Sequence, residues 1–150
     1  MLGELTPEQI NAVLFNEVVG RIGCSDEGRT YIVPITYVFD GDAVYGHSAE
    51  GLKIRIMRAN PTVCFQVDQR ENLANWRSVL GWGVYEELQG KAALEALQLL
   101  VARLMPLTLT ETLRLPDGPP AAAGTPVPDS PKTIIYRIPL MERTGRFEKR

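Results

Sequence analysis

Histidine is almost missing from this sequence of 150 residues, with His47 standing alone, and cysteine is limited to Cys24 and Cys64. One imidazole and two thiols outside any C-x-x-C pair leave no zinc constellation. No G-x-S-x-G is present, so a nucleophile elbow is excluded. There is no P-loop, and no G-x-G-x-x-G opens a helix after a strand. No apolar run reaches the ~18 residues that a membrane-spanning helix needs. The opening Met1-Leu2-Gly3-Glu4-Leu5 has neither the cationic nor the apolar region of a secretory signal. Neither sign of charge dominates, with 16 Lys and Arg against 18 Asp and Glu and a net charge of −2. Nucleic acid is therefore not an expected partner, because phosphate binding wants a concentrated basic face.

What is present describes an ordinary soluble domain, 45% hydrophobic and 23% charged,. One domain over residues 1–150 is expected. A chain of this size buries roughly 70% of its unfolded surface, so it needs no disulfide or structural metal to fold. The two cysteines lie in strand-like runs and read as reduced thiols of a cytoplasmic protein.

Thr6-Pro7-x-Gln9 forms a capping box with proline at the first helical position. A short helix over Pro7–Asn16 follows, with Ile10, Val13 and Leu14 as its apolar stripe. Strands come next. Arg21–Ser25 leads through a turn at Asp26–Arg29 into Thr30–Phe39, which alternates with period two. Pro34 cannot donate to a ladder, so that strand belongs at a sheet edge or bulge. Asp40-Gly41-Asp42 turns the chain into Ala43–Ser48. Leu52–Ala59 is a short helix stopped by Asn60-Pro61. Thr62–Gln69 and Arg77–Glu86 are strands, and Gly81 and Gly83 on one face of the second imply close approach of another backbone or a flat ligand. Lys91–Met105 is the strongest helix, ended by Pro106. Residues 115–131 are Pro/Ala/Gly-rich and read as a mobile surface loop. Thr133–Glu142 is the last strand, and 143–150 a polar tail carrying Phe147. Six strands joined largely by hairpins predict a mainly β (α+β) fold, an antiparallel barrel with flanking helices.

Two segments could carry chemistry. Tyr45 to Lys53 ends a strand, turns through small residues and starts a helix. A helix start offers free N–H groups and partial positive charge, which suits phosphate. Ser48 adds a hydroxyl, Lys53 a full charge, and Arg55 and Arg58 thicken the field. The plain alternative is an ordinary connection with a solvated basic face. Trp76-Arg77-Ser78-Val79 pairs a guanidinium that can grip phosphate with a ring that can cover a flat ligand. The alternative there is a surface Arg beside a loop-anchoring Trp. His47 titrates near neutrality and could contact a ligand, or serve only the structure.

Taken in order, several pieces resemble one family. They are Gly20-Arg21-Ile22-Gly23, Tyr31 to Ile35, Tyr45-Gly46-His47-Ser48-Ala49-x-Gly51-x-Lys53, Arg58-Ala59-Asn60-Pro61-x-Val63-Cys64-Phe65, Trp76 to Val79 and Thr144-Gly145-Arg146-Phe147. Together they resemble the pyridoxamine-5′-phosphate-oxidase-like flavoproteins, in their smaller nitroimidazole-resistance-like branch. The resemblance implies a six-stranded split β-barrel that binds FMN at the interface of a homodimer. It implies that Pro34, Ile35, Thr36, Tyr37, His47, Ser48 and Ala49 line the ring and ribityl chain. Lys53, Arg77 and Ser78 would hold the phosphate, and Trp76 or Phe147 would cover the ring. Many relatives carry an aromatic where this chain has Gly46. The paired basic residues that hold a substrate phosphate in true pyridoxamine phosphate oxidases are not evident. The expected activity is FMN-dependent oxidoreduction of a small-molecule substrate, with His47 as candidate proton donor or substrate anchor. The alternatives are a non-catalytic flavin-binding or sensing module, a haem-binding barrel using His47, or a scaffold without cofactor.

Overall fold

The computed structural model describes residues 1–111 and 133–150, with side chains through Leu107 and again from Thr133. The elements run β1 (Leu2–Glu4), α1 (Pro7–Asn16), β2 (Val19–Asp26), β3 (Arg29–Thr36), β4 (Val38–Phe39), β5 (Ala43–Ser48), α2 (Leu52–Ala59), β6 (Thr62–Asn72), β7 (Asn75–Val84), β8 (Glu86–Glu87), α3 (Gly90–Glu111) and β9 (Ile134–Glu148). The sheet is antiparallel in the order β3-β2-β6-β7-β9-β5-β4, with β1 and β8 also paired to β9. The path ends at β3 and β4, which do not close on each other among the described residues. This is a split barrel built on six long strands with three short ones added.

Local chemistry explains most boundaries. The Thr6 hydroxyl accepts from the Gln9 amide at 3.2 Å, and the Gln9 side chain accepts from the Thr6 amide at 2.8 Å. A cap of this kind contributes about 1 kcal/mol. Asp26 pairs with Arg29, leaving a two-residue turn in which Glu27 and Gly28 both have positive φ, 51° and 79°. That is the turn whose twist matches the flanking strands. Asp40 Oδ1 accepts from the amides of Asp42 and Ala43 and so fixes the next hairpin. Pro34 sits in β3 at the free edge of the sheet, where its missing N–H costs no ladder bond,.

The main core fills the barrel with Ile22, Tyr37, Val44, Ile54, Phe65, Val67, Val79, Tyr136 and Ile138, under a lid formed by Val13 and Leu14 of α1. A second cluster lies outside β5 and β9, where Ala96, Leu97 and Leu100 of α3 cover Ala43, Tyr45 and Ile135. No described helix is long and apolar enough to cross a membrane. Both cysteines are free. Cys24 faces the core beside Ile22, whereas Cys64 stands over Gly23 on the opposite side of the sheet.

Two expectations change, and a third is narrowed. The helix does not end at Pro106 but continues to Glu111 with the proline inside it. The proline removes one backbone hydrogen bond from the helix, and the sheet-packed residues of α3, Ala96, Leu97 and Leu100, all precede it. The polar tail is not a tail: β9 extends to Glu148, because β7 and β1 supply ladder partners for its second half. Of the two neighbours expected at Gly81 and Gly83, a backbone or a flat ligand, β9 supplies its backbone at Gly83 and a side chain at Gly81. A Cβ on Gly83 would fall inside the Pro139 carbonyl, and one on Gly81 would press on Leu140. The register there jumps from Trp82↔Glu142 to Gly83↔Leu140, a bulge that leaves Met141 unpaired,. The segment 115–131 lies outside the described residues.

Gly46 has a reason of its own. A Cβ at this position would meet the Tyr136 hydroxyl at 2.5 Å and its ring at 2.6 Å. The space beside Gly46 on β5 is filled by the Tyr136 ring of the neighbouring strand β9. The Tyr136 hydroxyl is fully buried and has no hydrogen-bond partner among the described residues. An unsatisfied buried hydroxyl costs about 1–3 kcal/mol. Tyr136→Phe is therefore expected to raise the melting temperature, and Gly46→Ala to cost about 1–3 kcal/mol through overpacking. Thermal unfolding of both variants checks this; a lower melting temperature for Y136F would contradict it.

Candidate functional site

β5 delivers His47 and Ser48 to the turn that starts α2. This helix forms because Ile54, Ile56 and Met57 bury against the barrel, and it stops where Asn60 precedes Pro61,. Its N-cap is Gly51, in an extended conformation with no side-chain cap. The first backbone bond into the helix runs from the Arg55 amide to the Gly51 carbonyl at 3.1 Å. The amides of Leu52, Lys53 and Ile54 therefore point out of the helix start without an internal acceptor. Lys53 is half-buried and makes no ion pair among the described residues. Burial pushes its pKa down. The Ser48 hydroxyl donates to the Ala49 carbonyl at 2.7 Å.

His47 lies on the opposite face of β5 from Ser48 and Gly46, toward the α3 side. Its pKa is lowered from 6.5, first by burial and then by the nearby Lys53 ammonium. At neutral pH the imidazole is uncharged. A neutral imidazole beside an unpaired, partly desolvated ammonium is a pair that an anion would relieve.

Arg58, in the last turn of α2, grips two carboxylates at once. Nη2 and Nη1 donate to Glu50 at 2.7 and 3.0 Å, while Nε and Nη2 donate to Glu87 at 2.8 and 3.0 Å. The Tyr85 hydroxyl donates to Glu87 at 2.8 Å. None of this was visible in the sequence, because Glu50, Arg58, Tyr85 and Glu87 come together only through the fold.

The remaining predicted residues divide by strand alternation. Pro34 and Thr36 are exposed on the outer face of β3, whereas Ile35 and Tyr37 point into the core. The Tyr37 hydroxyl donates to the Leu14 carbonyl at 2.8 Å. A ligand on the outer face could meet Ile35 and Tyr37 only through backbone. Val79 is likewise wholly buried. Ser78 is on the outer face, where Gln66 Nε2 donates to its hydroxyl at 3.1 Å. It borders a shallow cavity of about 330 Å³ with Gln66, Asp68, Arg70 and Trp76. Arg77 points the other way, into a cavity of about 490 Å³ walled by Leu5, Trp76 and Phe147. Consecutive strand residues face opposite sides, so Arg77 and Ser78 do not converge on one anion.

Nor do Lys53 and Arg77 meet within one chain. Ser48, beside the α2 turn, pairs with Ile134, and Arg77 pairs with Phe147. These are the two ends of β9, a contour of roughly 40 Å at 3.3 Å per residue. One chain thus carries two separated groups of candidate residues, His47–Lys53 at one end and Trp76–Phe147 at the other.

A profile of the family described as pyridoxamine 5′-phosphate oxidase matches residues 6–147. The chain belongs to this family. An uncharacterised protein of Rhizobium meliloti (strain 1021) is 36% identical over 84 residues, a stretch that spans 56% of each protein. Among solved structures, a protein of Mesorhizobium loti named as FAD-binding is 28% identical, with a TM-score of 0.74 over 99% of both chains. A Mycobacterium smegmatis protein, also named as FAD-binding, shares the fold at 22% identity and a TM-score of 0.61, covering 97% of each chain. Family membership and the split barrel thus agree, while the reaction has to be argued from the site.

His47 provides a direct test. Its folded pKa lies below the unfolded value, so the unfolded chain binds more protons just below pH 6.5,. Its contribution is constant above that value and is lost as pH falls through the window beneath it. As the sole histidine, its ring protons can be followed by NMR without assignment. The expected midpoint is below 6.5 in the free protein, moving upward when an anion binds at the α2 start; a midpoint at or above 6.5 without ligand would contradict the desolvated setting.

Proposed function

We propose that this protein binds FMN as a homodimer and acts as a flavin-dependent oxidoreductase on a small molecule. The observation that carries the reading is the uncapped start of α2 beside an unpaired, half-buried Lys53. Free amides, a helix dipole and one ammonium together form a cradle for a single phosphate. FMN is the flavin with one phosphate. The FAD-binding names of the Mesorhizobium loti and Mycobacterium smegmatis proteins support a flavin of some kind.

In this reading the amides of Leu52 to Ile54 and Lys53 bind the phosphate. The neutral His47 imidazole holds or accepts a proton near the ring system. A bound flavin supplies hydride or single-electron transfer, while the protein supplies orientation and charge.

Two features support the dimer. The groups at the two ends of β9 can face one ligand only if they come from two chains. In addition, the outer sheet face carries a row Ile32, Gly23, Cys64, Trp82, next to a row Pro34, Arg21, Gln66, Leu80. Ile32 is 66% exposed and Trp82, in the same row, is 38% exposed. Apolar side chains set together on a sheet face and at its open edge mark an interaction surface.

Purified protein is expected to show the two-banded flavin spectrum, or to gain it on adding FMN. Lys53→Ala should weaken FMN binding at least tenfold, since a charge-assisted hydrogen bond contributes about 1.5–3 kcal/mol. Unchanged affinity would remove the phosphate from this turn. Ile32→Asp should yield monomers in sedimentation and lose flavin with them. Mixing K53A and R77A chains tests the shared site, because a mixed dimer regains one intact site. Full binding by R77A alone would take Arg77 out of the cofactor site. Turnover of a reduced nicotinamide separates the enzyme from a passive flavin binder.

A further inference from the structure

We infer that Arg58 is a positioning residue that keeps the Glu50 carboxylate away from the start of α2, so that the amides there remain open to an incoming anion; this rests on the phosphate reading above. Glu50 is the residue just before the N-cap Gly51. A carboxylate is stabilised at a helix N-terminus by free amides and by the helix dipole. Glu50 is thus the nearest internal competitor for the cradle proposed to hold phosphate. It is also exposed enough to swing, with 44% of its side chain accessible.

The structure shows it held elsewhere. Both Glu50 oxygens are taken by Arg58, at 2.7 and 3.0 Å, from the opposite end of the same helix. Arg58 is itself fixed by both oxygens of Glu87, at 2.8 and 3.0 Å. Glu87 lies in β8, paired to Tyr136 of β9, and receives the Tyr85 hydroxyl. The clamp is therefore anchored on the sheet, with the mobile partner drawn toward it. A guanidinium suits this task because its planar fork serves two carboxylates at once. Exposed ion pairs add little to stability, so a purely stabilising role would leave ligand affinity nearly untouched.

The two roles separate in a double-mutant series. FMN binding is followed by flavin fluorescence at neutral pH for the parent chain, R58Q, E50Q and E50Q/R58Q, with circular dichroism confirming each fold. Freed Glu50 should cap the helix and compete, so R58Q is expected to bind about fivefold more weakly. E50Q should bind at least as tightly as the parent. The double variant should return to within about twofold of the parent, because the competitor is gone. Parent-like affinity in R58Q, or no recovery in the double variant, would overturn the inference. If R58Q does not fold, R58K takes its place: it keeps the charge but loses the fork, and its deficit should likewise vanish with E50Q. If the parent chain binds neither FMN nor FAD, the flavin reading fails on its own. The same series with inorganic phosphate, read by phosphorus NMR, then decides the clamp separately, by the same pattern of loss and recovery.

Discussion

Fifteen residues, Ile134 to Glu148, have ladder partners along both halves of their length. The first half of β9 pairs with β5 and β8, and the second half with β7 and β1. Between them lies the bulge at Met141, where the strand changes direction and its partners change with it. This constraint sets the architecture. It brings α3 against one outer face, closes the N-terminus against the C-terminus, and puts Tyr136 into the space left by Gly46. Gly83 is required at the crossing because the β9 backbone runs too close for a side chain, while Gly81 lies against the Leu140 side chain.

The same strand governs the chemistry by keeping things apart. Lys53 and Arg77 are each unpaired among the described residues, yet they stand at opposite ends of β9. Two separated groups of candidate residues on one chain, together with an apolar outer sheet face, are the features on which the proposed dimer rests. Strand alternation refines the picture further. Pro34, Thr36 and Ser78 lie on the outer face, whereas Ile35, Tyr37 and Val79 belong to the core.

Electrostatics around α2 is arranged in three layers. The helix start presents amides without a cap. Lys53 and His47 stand beside it, one poorly solvated and the other neutral because of burial and its cationic neighbour. Farther along, Arg58 holds Glu50 and Glu87, and the burial of the Tyr85 ring together with its bond to Glu87 raises the phenol's pKa well beyond its usual range. Each layer leaves the positive end of a short helix open rather than neutralised from within.

Much of the fold was legible because its signals are local. The capping box of Thr6 and Gln9, the glycine turns, the period-two runs and the Asn60-Pro61 stop act within a few residues, so α1 and α2 appear where the sequence puts them. Pro34 correctly marked a free edge. What failed was decided over distance: the polar tail became strand because β1 and β7 supply its ladder partners. The site divides in the same way. The sequence by itself determined that a strand hands over to a helix at His47–Lys53, with a free helix start and a lysine. Only the tertiary structure decided which face each side chain takes, that Arg77 lies far from Lys53, and that Arg58 holds Glu50. Those facts depend on the register of strands distant in the chain, and a shift of one residue would turn every side chain to the other face.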